Sequence, residues 1–91
     1  MLITFRSPAY RAWIARQPCL RCGHGPCQAA HVDLGGRGVG IKAPDTHCVP
    51  LCALCHPLEH QLGVESFWSS VDVKMEIIKL ITLYLIERGV R

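Results

Sequence analysis

Two Cys-x2-Cys pairs, Cys19-Leu-Arg-Cys22 and Cys52-Ala-Leu-Cys55, constrain this 91-residue chain more than any other feature. Thiols at that spacing suit a closed tetrahedral zinc site with Zn–S bonds near 2.3 Å. One ion bound by all four would tie two segments some thirty residues apart into one small core. Chains of this size bury only about 60–65% of the surface their unfolded form exposes, so such a staple adds needed stability. Disulfides are the competing use of the thiols and require export. Residues 1–6 are too short for a leader, with Pro8 close behind. A reducing cytoplasm and metal-bound thiolates are therefore expected. Cys27 and Cys48 fall outside the pairs and read as small buried hydrophobes, although Cys27 or His24 could replace a knuckle ligand.

The second pair runs directly into His56-Pro-Leu-Glu-His60. Histidines four apart share one face of a helix and can share a divalent ion that keeps open positions. The alternative is that His56 flanks the zinc knuckle and His60 is a surface residue. His31 precedes a glycine-rich stretch and suits a general base, because imidazole titrates near neutral pH. A metal beside it would polarise a phosphoryl oxygen while His31 takes a proton from water. Asp45 admits three readings: orienting a histidine, binding the same ion, or simply forming a turn after Pro44.

Charge is uneven. Residues 1–44 carry Arg6, Arg11, Arg16, Arg21, Arg37 and Lys42 against Asp33 alone; residues 45–91 carry four basic and six acidic side chains. A basic half fits a polyanion, or equally an ordinary solvated surface. Arg11, Arg16 and Arg37 are the candidates for phosphate contacts, which position a nucleic acid without reading its sequence.

Local signals predict an α+β fold in a single domain. Ser7-Pro8 opens a first helix with Ala9, Trp13 and Ile14 at helical spacing, and Pro18 stops it. Short strands are expected over 28–34 and 47–51, joined as a hairpin through a mobile glycine loop at 35–40. A helix from about residue 53 carries His56 and His60 and ends at Gly63. A short helical turn over 65–69 follows. Asp72 caps a final helix over about 72–88, with Val73, Ile77, Leu80, Ile81, Tyr84 and Leu85 as its buried stripe. Leu83 and Ile86 widen that stripe, which suits either a small core or a homodimer contact. Residues 77–86 fall far short of the ~20 apolar residues a membrane span requires.

The layout of His31, His47, His56 and His60 around two Cys-x2-Cys knuckles resembles the HNH endonucleases. The resemblance covers about residues 17–62. The segments Gln17-Pro-Cys-Leu-Arg-Cys-Gly23, Ala30-His31, Lys42-Ala-Pro-Asp45, Val49-Pro-Leu-Cys52 and Cys55-His56 are most like the family's small phage-borne branch. The resemblance implies a ββα-metal core, here with added N- and C-terminal helices. It matches His31 to the general base and His56 and His60 to the metal-binding histidines. His47 falls near the family's middle Asn, which orients the base through the hairpin backbone. Ala30 stands where many members carry a ligating Asp or His, so the ion would gain a ligand elsewhere, such as Asp45. The implied activity is weakly specific DNA hydrolysis with Mg2+, Mn2+ or another divalent ion, encoded by a phage or prophage and acting in the host cytoplasm. The competing reading is a zinc-stabilised DNA-binding or adaptor domain without catalysis.

Overall fold

The computed structural model describes residues 5–35 and 43–90. Helix α1 (Pro8–Ala15) starts where Ser7 adopts extended backbone and its Oγ accepts the Tyr10 N–H at 3.1 Å. Pro8 sits in the first turn, where its missing N–H costs nothing. Tyr10, Trp13 and Ile14 form the buried face, and Ala9 is exposed. Tyr10 therefore takes the core position expected of Ala9, since 10, 13 and 14 complete the i, i+3, i+4 stripe. At the far end Gln17 closes the helix, its N–H on the Ile14 carbonyl and its side-chain amide on the Trp13 carbonyl.

Strands β1 (Cys27–His31) and β2 (Cys48–Cys52) form a two-stranded antiparallel sheet, with Cys27 opposite Cys52 and His31 opposite Cys48. The first strand is shorter than expected and ends at His31, although Val32 N–H still reaches the His47 carbonyl at 3.1 Å. A 3-10 turn (Asp45–His47) leads into β2. Every residue of β2 is buried, Pro50 included. Its outer edge is covered by the first Cys-x2-Cys loop, whose Leu20 N–H donates to the Pro50 carbonyl at 3.0 Å. A proline fits such an edge because its carbonyl still accepts where no N–H is needed.

Helix α2 (Cys55–Leu62) ends at Gly63, whose φ of +83° is open to glycine without a Cβ clash. Helix α3 (Val64–Phe67) follows at once. Asp72 caps α4 (Val73–Glu87), its Oδ1 accepting the Met75 N–H at 3.1 Å. Val73, Ile77 and Leu80 are buried and Ile81 and Tyr84 pack against the core. Leu85, expected in that stripe, is exposed, as are Leu83 and Ile86. The helix touches the core along one narrow line, so its C-terminal half keeps apolar side chains in solvent.

The core lies between α1, the sheet and α4. Ile14, Val32, Cys48, Val49 and Leu51 are fully buried there, with Phe67 and Trp68 closing one end. Tyr84 meets Tyr10 and Trp13 edge-on, with ring centroids 4.8 and 5.2 Å away. Trp13 Nε1 donates to Glu87 Oε1 at 3.0 Å, tying the end of α4 to α1. Among the described residues no helix is long and apolar enough to cross a membrane.

Candidate functional site

The four paired thiols come together. Cys19 and Cys22 lie on the loop after α1, held by Gly23 N–H on the Cys19 carbonyl at 2.8 Å, with Gly23 at φ +79°. Cys52 ends β2 and Cys55 starts α2. Their Sγ atoms all lie within 4.8 Å of one another, and Cys22 and Cys52 are 3.7 Å apart. A tetrahedron with 2.3 Å bonds has edges of about 3.8 Å, so this cluster could hold zinc. Its electrostatics agree. Burial opposes ionisation of Cys19, but backbone N–H groups of Cys52, Cys22 and Arg21 and the Cys22 thiol outweigh it and bring the thiol down to about 6. Backbone N–H groups of Cys55 and Leu54 likewise lower Cys52. Burial pushes Cys55 up, as do its three neighbouring thiols. Two thiolates are favoured and further ionisation is resisted, which is the charge pattern a dication relieves. Cys27 stands apart, its thiol on the His24 carbonyl at 3.3 Å. Fully buried Cys48 is pushed up to about 12, first by burial and then by Asp45.

A second cluster is built around Asp45, which is 1% exposed. Its Oδ2 accepts the Ser7 N–H at 2.6 Å and a hydrogen bond from Arg11 Nη1. Its Oδ1 faces His31 Nε2 at 2.9 Å, and Arg6 Nη1 stands 4.0 Å away. Burial alone would raise this carboxyl; the Ser7 N–H, His31 and Arg11 together hold it below its ordinary value. Asp45 opens the 3-10 turn after Pro44 and meets His31 at hydrogen-bond distance, and with His31 and Cys48 it also forms a group of three donors that could hold a metal ion. The guanidinium on its other oxygen would repel a cation.

The rings of His56 and His60 lie side by side, 5.1 Å apart between centroids and tilted by 31°, as their i, i+4 spacing predicts. His56 Nδ1 is 2.6 Å from Gln28 Oε1 on β1. Burial first, then His60, lowers the His56 pKa against an opposing Glu59, favouring the neutral ring. His31 and His60 line one open cleft of about 140 Å³ with Asp33, Glu59, Gly63 and Val64. Yet the imidazoles of His31, His56 and His60 do not form one close donor cluster. Among the described residues, His31 groups with Asp45 and Cys48 instead. His31 is turned by Asp45 and His56 by Gln28, so each ring follows its own hydrogen bond.

His47 lies in the 3-10 turn, and its carbonyl holds Val32 N–H beside His31. Arg16 caps the C-terminus of α1, at a pocket of about 290 Å³ shared with Trp13, Tyr84 and Arg88. Arg37 lies outside the described residues. Sequence reasoning did not find Gln28, Glu59 or Ser7. Glu59 is 5% exposed and accepts from Trp68 Nε1 at 3.3 Å. The Ser7 and Gln28 contacts join residues 38 and 28 positions apart, with no local signal.

A family described as "Protein of unknown function (DUF968)" matches residues 2–79, most of the chain. No curated protein and no solved structure matches it.

Proposed function

The chain belongs to the DUF968 family, and we propose that it is a metal-dependent nuclease of the HNH kind, hydrolysing DNA phosphodiester bonds with low sequence specificity. One arrangement supports this most: His31, at the end of β1, is hydrogen-bonded to buried Asp45 and opens onto the cleft it shares with His60. An ionised carboxylate only accepts, so the proton of a neutral His31 sits on Nε2. That leaves the Nδ1 lone pair to take a proton from water, the task of a general base. Asp45 then stabilises the imidazolium that forms. Arg11 and the Ser7 N–H keep Asp45 ionised and fixed during that transfer.

His56 and His60 would hold the divalent ion, both rings presented from one face of α2. When bound, such an ion supplies Lewis-acid polarisation of the phosphoryl oxygen. The four-cysteine cluster would hold a separate structural zinc that anchors the start of α2, and thereby both histidines.

The test is nicking of supercoiled plasmid by zinc-loaded protein with added Mg2+, Mn2+ or Ni2+. His31→Ala should lower the rate by about 100-fold or more, the usual range for a general base. Nicking that survives His31→Ala unchanged would refute the assignment. That His31, His56 and His60 form no close donor cluster favours one competing reading, a DNA-binding adaptor. DNA affinity with no cutting under any ion would decide for it.

A further inference from the structure

Asp45 is buried, yet the three side chains that cover it are not. Arg6, Arg11 and His31 are 41%, 37% and 39% exposed, and all three approach the same carboxylate. They form a lid whose inner side faces Asp45 and whose outer side faces solvent. Two guanidinium charges there outweigh one carboxylate. Neither arginine is loosely placed. Arg6 Nη1 donates to the Phe5 and Ala43 carbonyls, both at 2.9 Å, and Arg11 is fixed by Asp45. An arginine fork held in one plane loses little freedom on meeting a phosphate, which it can bind through two parallel N–H donors.

We propose that Arg6, held by the Phe5 and Ala43 carbonyls, and Arg11, held by Asp45, form beside His31 a phosphate-binding face that seats the backbone of a nucleic-acid duplex. The inference rests on the nuclease reading for the identity of the ligand and extends it by naming the residues that hold the strand at His31. Asp45 thus has two tasks: it aims the imidazole and it fixes the Arg11 guanidinium, while the Phe5 and Ala43 carbonyls hold Arg6 alongside. A phosphodiester seated on the outer side of the lid meets positive charge next to the group that takes the proton. Arg6 lies before the first helix, where no sequence pattern marks it as a substrate contact.

Binding alone tests the face, so cutting is prevented by withholding every divalent ion except the structural zinc, with His31 left in place. Anisotropy of a labelled 20-base-pair duplex is followed from 50 to 200 mM salt, with zinc-loaded protein and no other divalent ion. Arg6→Gln should weaken binding about five- to tenfold at the low-salt end. It should also reduce the slope of log K against log salt by about 1, as expected when one phosphate contact is lost. Arg6→Lys should restore most of the slope. Affinity within twofold of the parent together with an unchanged slope in Arg6→Gln would overturn the proposal.

Arg11→Gln also disturbs Asp45, so it is replaced by a footprint on the unmutated chain. Bound duplex should protect Arg6 and Arg11 from phenylglyoxal while Arg88 keeps reacting. Equal modification of all three with and without DNA would also overturn the proposal. The two readings fail separately. Slope loss in Arg6→Gln with no nicking by the wild type leaves the face and removes the nuclease. Nicking that needs His31 but binding indifferent to Arg6 does the reverse.

Discussion

Replacing Asp45 by Asn should cost this domain about 2 kcal/mol. The carboxylate accepts from the Ser7 N–H at 2.6 Å, from Arg11, and from His31 at 2.9 Å, all around a group that is 1% exposed. A hydrogen bond to a charged acceptor contributes about 1.5–3 kcal/mol when shielded. Arg11 and His31 are each more than a third exposed, so solvent screening reduces their shares to about 1 kcal/mol or less apiece. Asn keeps an oxygen for Ser7 and Arg11, which share Oδ2, but turns an amide NH2 toward His31 Nε2. The loss is then the Arg11 ion pair and the charge-assisted bond from His31, which together come to about 2 kcal/mol. For a domain this size, 1 kcal/mol moves Tm by about 4–8 °C, so a drop of roughly 8–16 °C is expected. Thermal unfolding of zinc-loaded wild type and Asp45→Asn, followed by circular dichroism at pH 7, measures it. A double-mutant cycle with Arg11→Gln should show positive coupling between the two sites. A loss under about 0.5 kcal/mol, in the range of an ordinary surface substitution, would refute the reasoning.

The same residue sets an acid limb. Its folded-state pKa lies below the ordinary 3.8, so its contribution is complete above that value and is lost as pH falls through the folded value. Asp45→Asn should remove that component from a plot of stability against pH; an unchanged limb would count against it. Cys22 is exposed, so Cys22→Ser removes little packing. Loss of about one zinc per chain, read by native mass spectrometry, with a large fall in Tm would therefore be due to the metal; an unchanged zinc content would rule out the four-thiol site. Zinc competes with protons for the four thiols, so its affinity should weaken steadily as pH is lowered, followed with a chromogenic chelator; an affinity that does not change with pH would contradict thiolate ligation. Gly63 combines φ +83° with ψ 162°, a region essentially confined to glycine, and nothing lies within 4 Å of an added Cβ. Gly63→Ala should thus cost about 1–3 kcal/mol through backbone strain alone, measured by urea unfolding; a neutral result would mean that the α2–α3 junction relaxes.

The sequence alone determined what is settled within a few residues. Ser7 and Asp72 cap their helices, Pro8 opens one and Gly63 ends another, because each decision depends on local dihedrals and one nearby N–H. The grouping of Cys19, Cys22, Cys52 and Cys55 was legible for the same reason: each pair is a local turn, and two such turns are complementary halves of one tetrahedron. Strand pairing was legible as a hairpin from two short strand signals on either side of a glycine-rich connection. Side-chain partners were decided only by packing. Asp45 follows a proline and makes an equally good turn-former, and it becomes the support of His31 because the fold brings Ser7, Arg11 and His31 to it across 38, 34 and 14 positions. Likewise His56 and His60 share a face by helical geometry, yet Gln28, 28 positions away, turns the His56 ring. Periodicity specifies which face a residue occupies; the hydrogen bond its side chain makes there depends on what the rest of the chain places opposite.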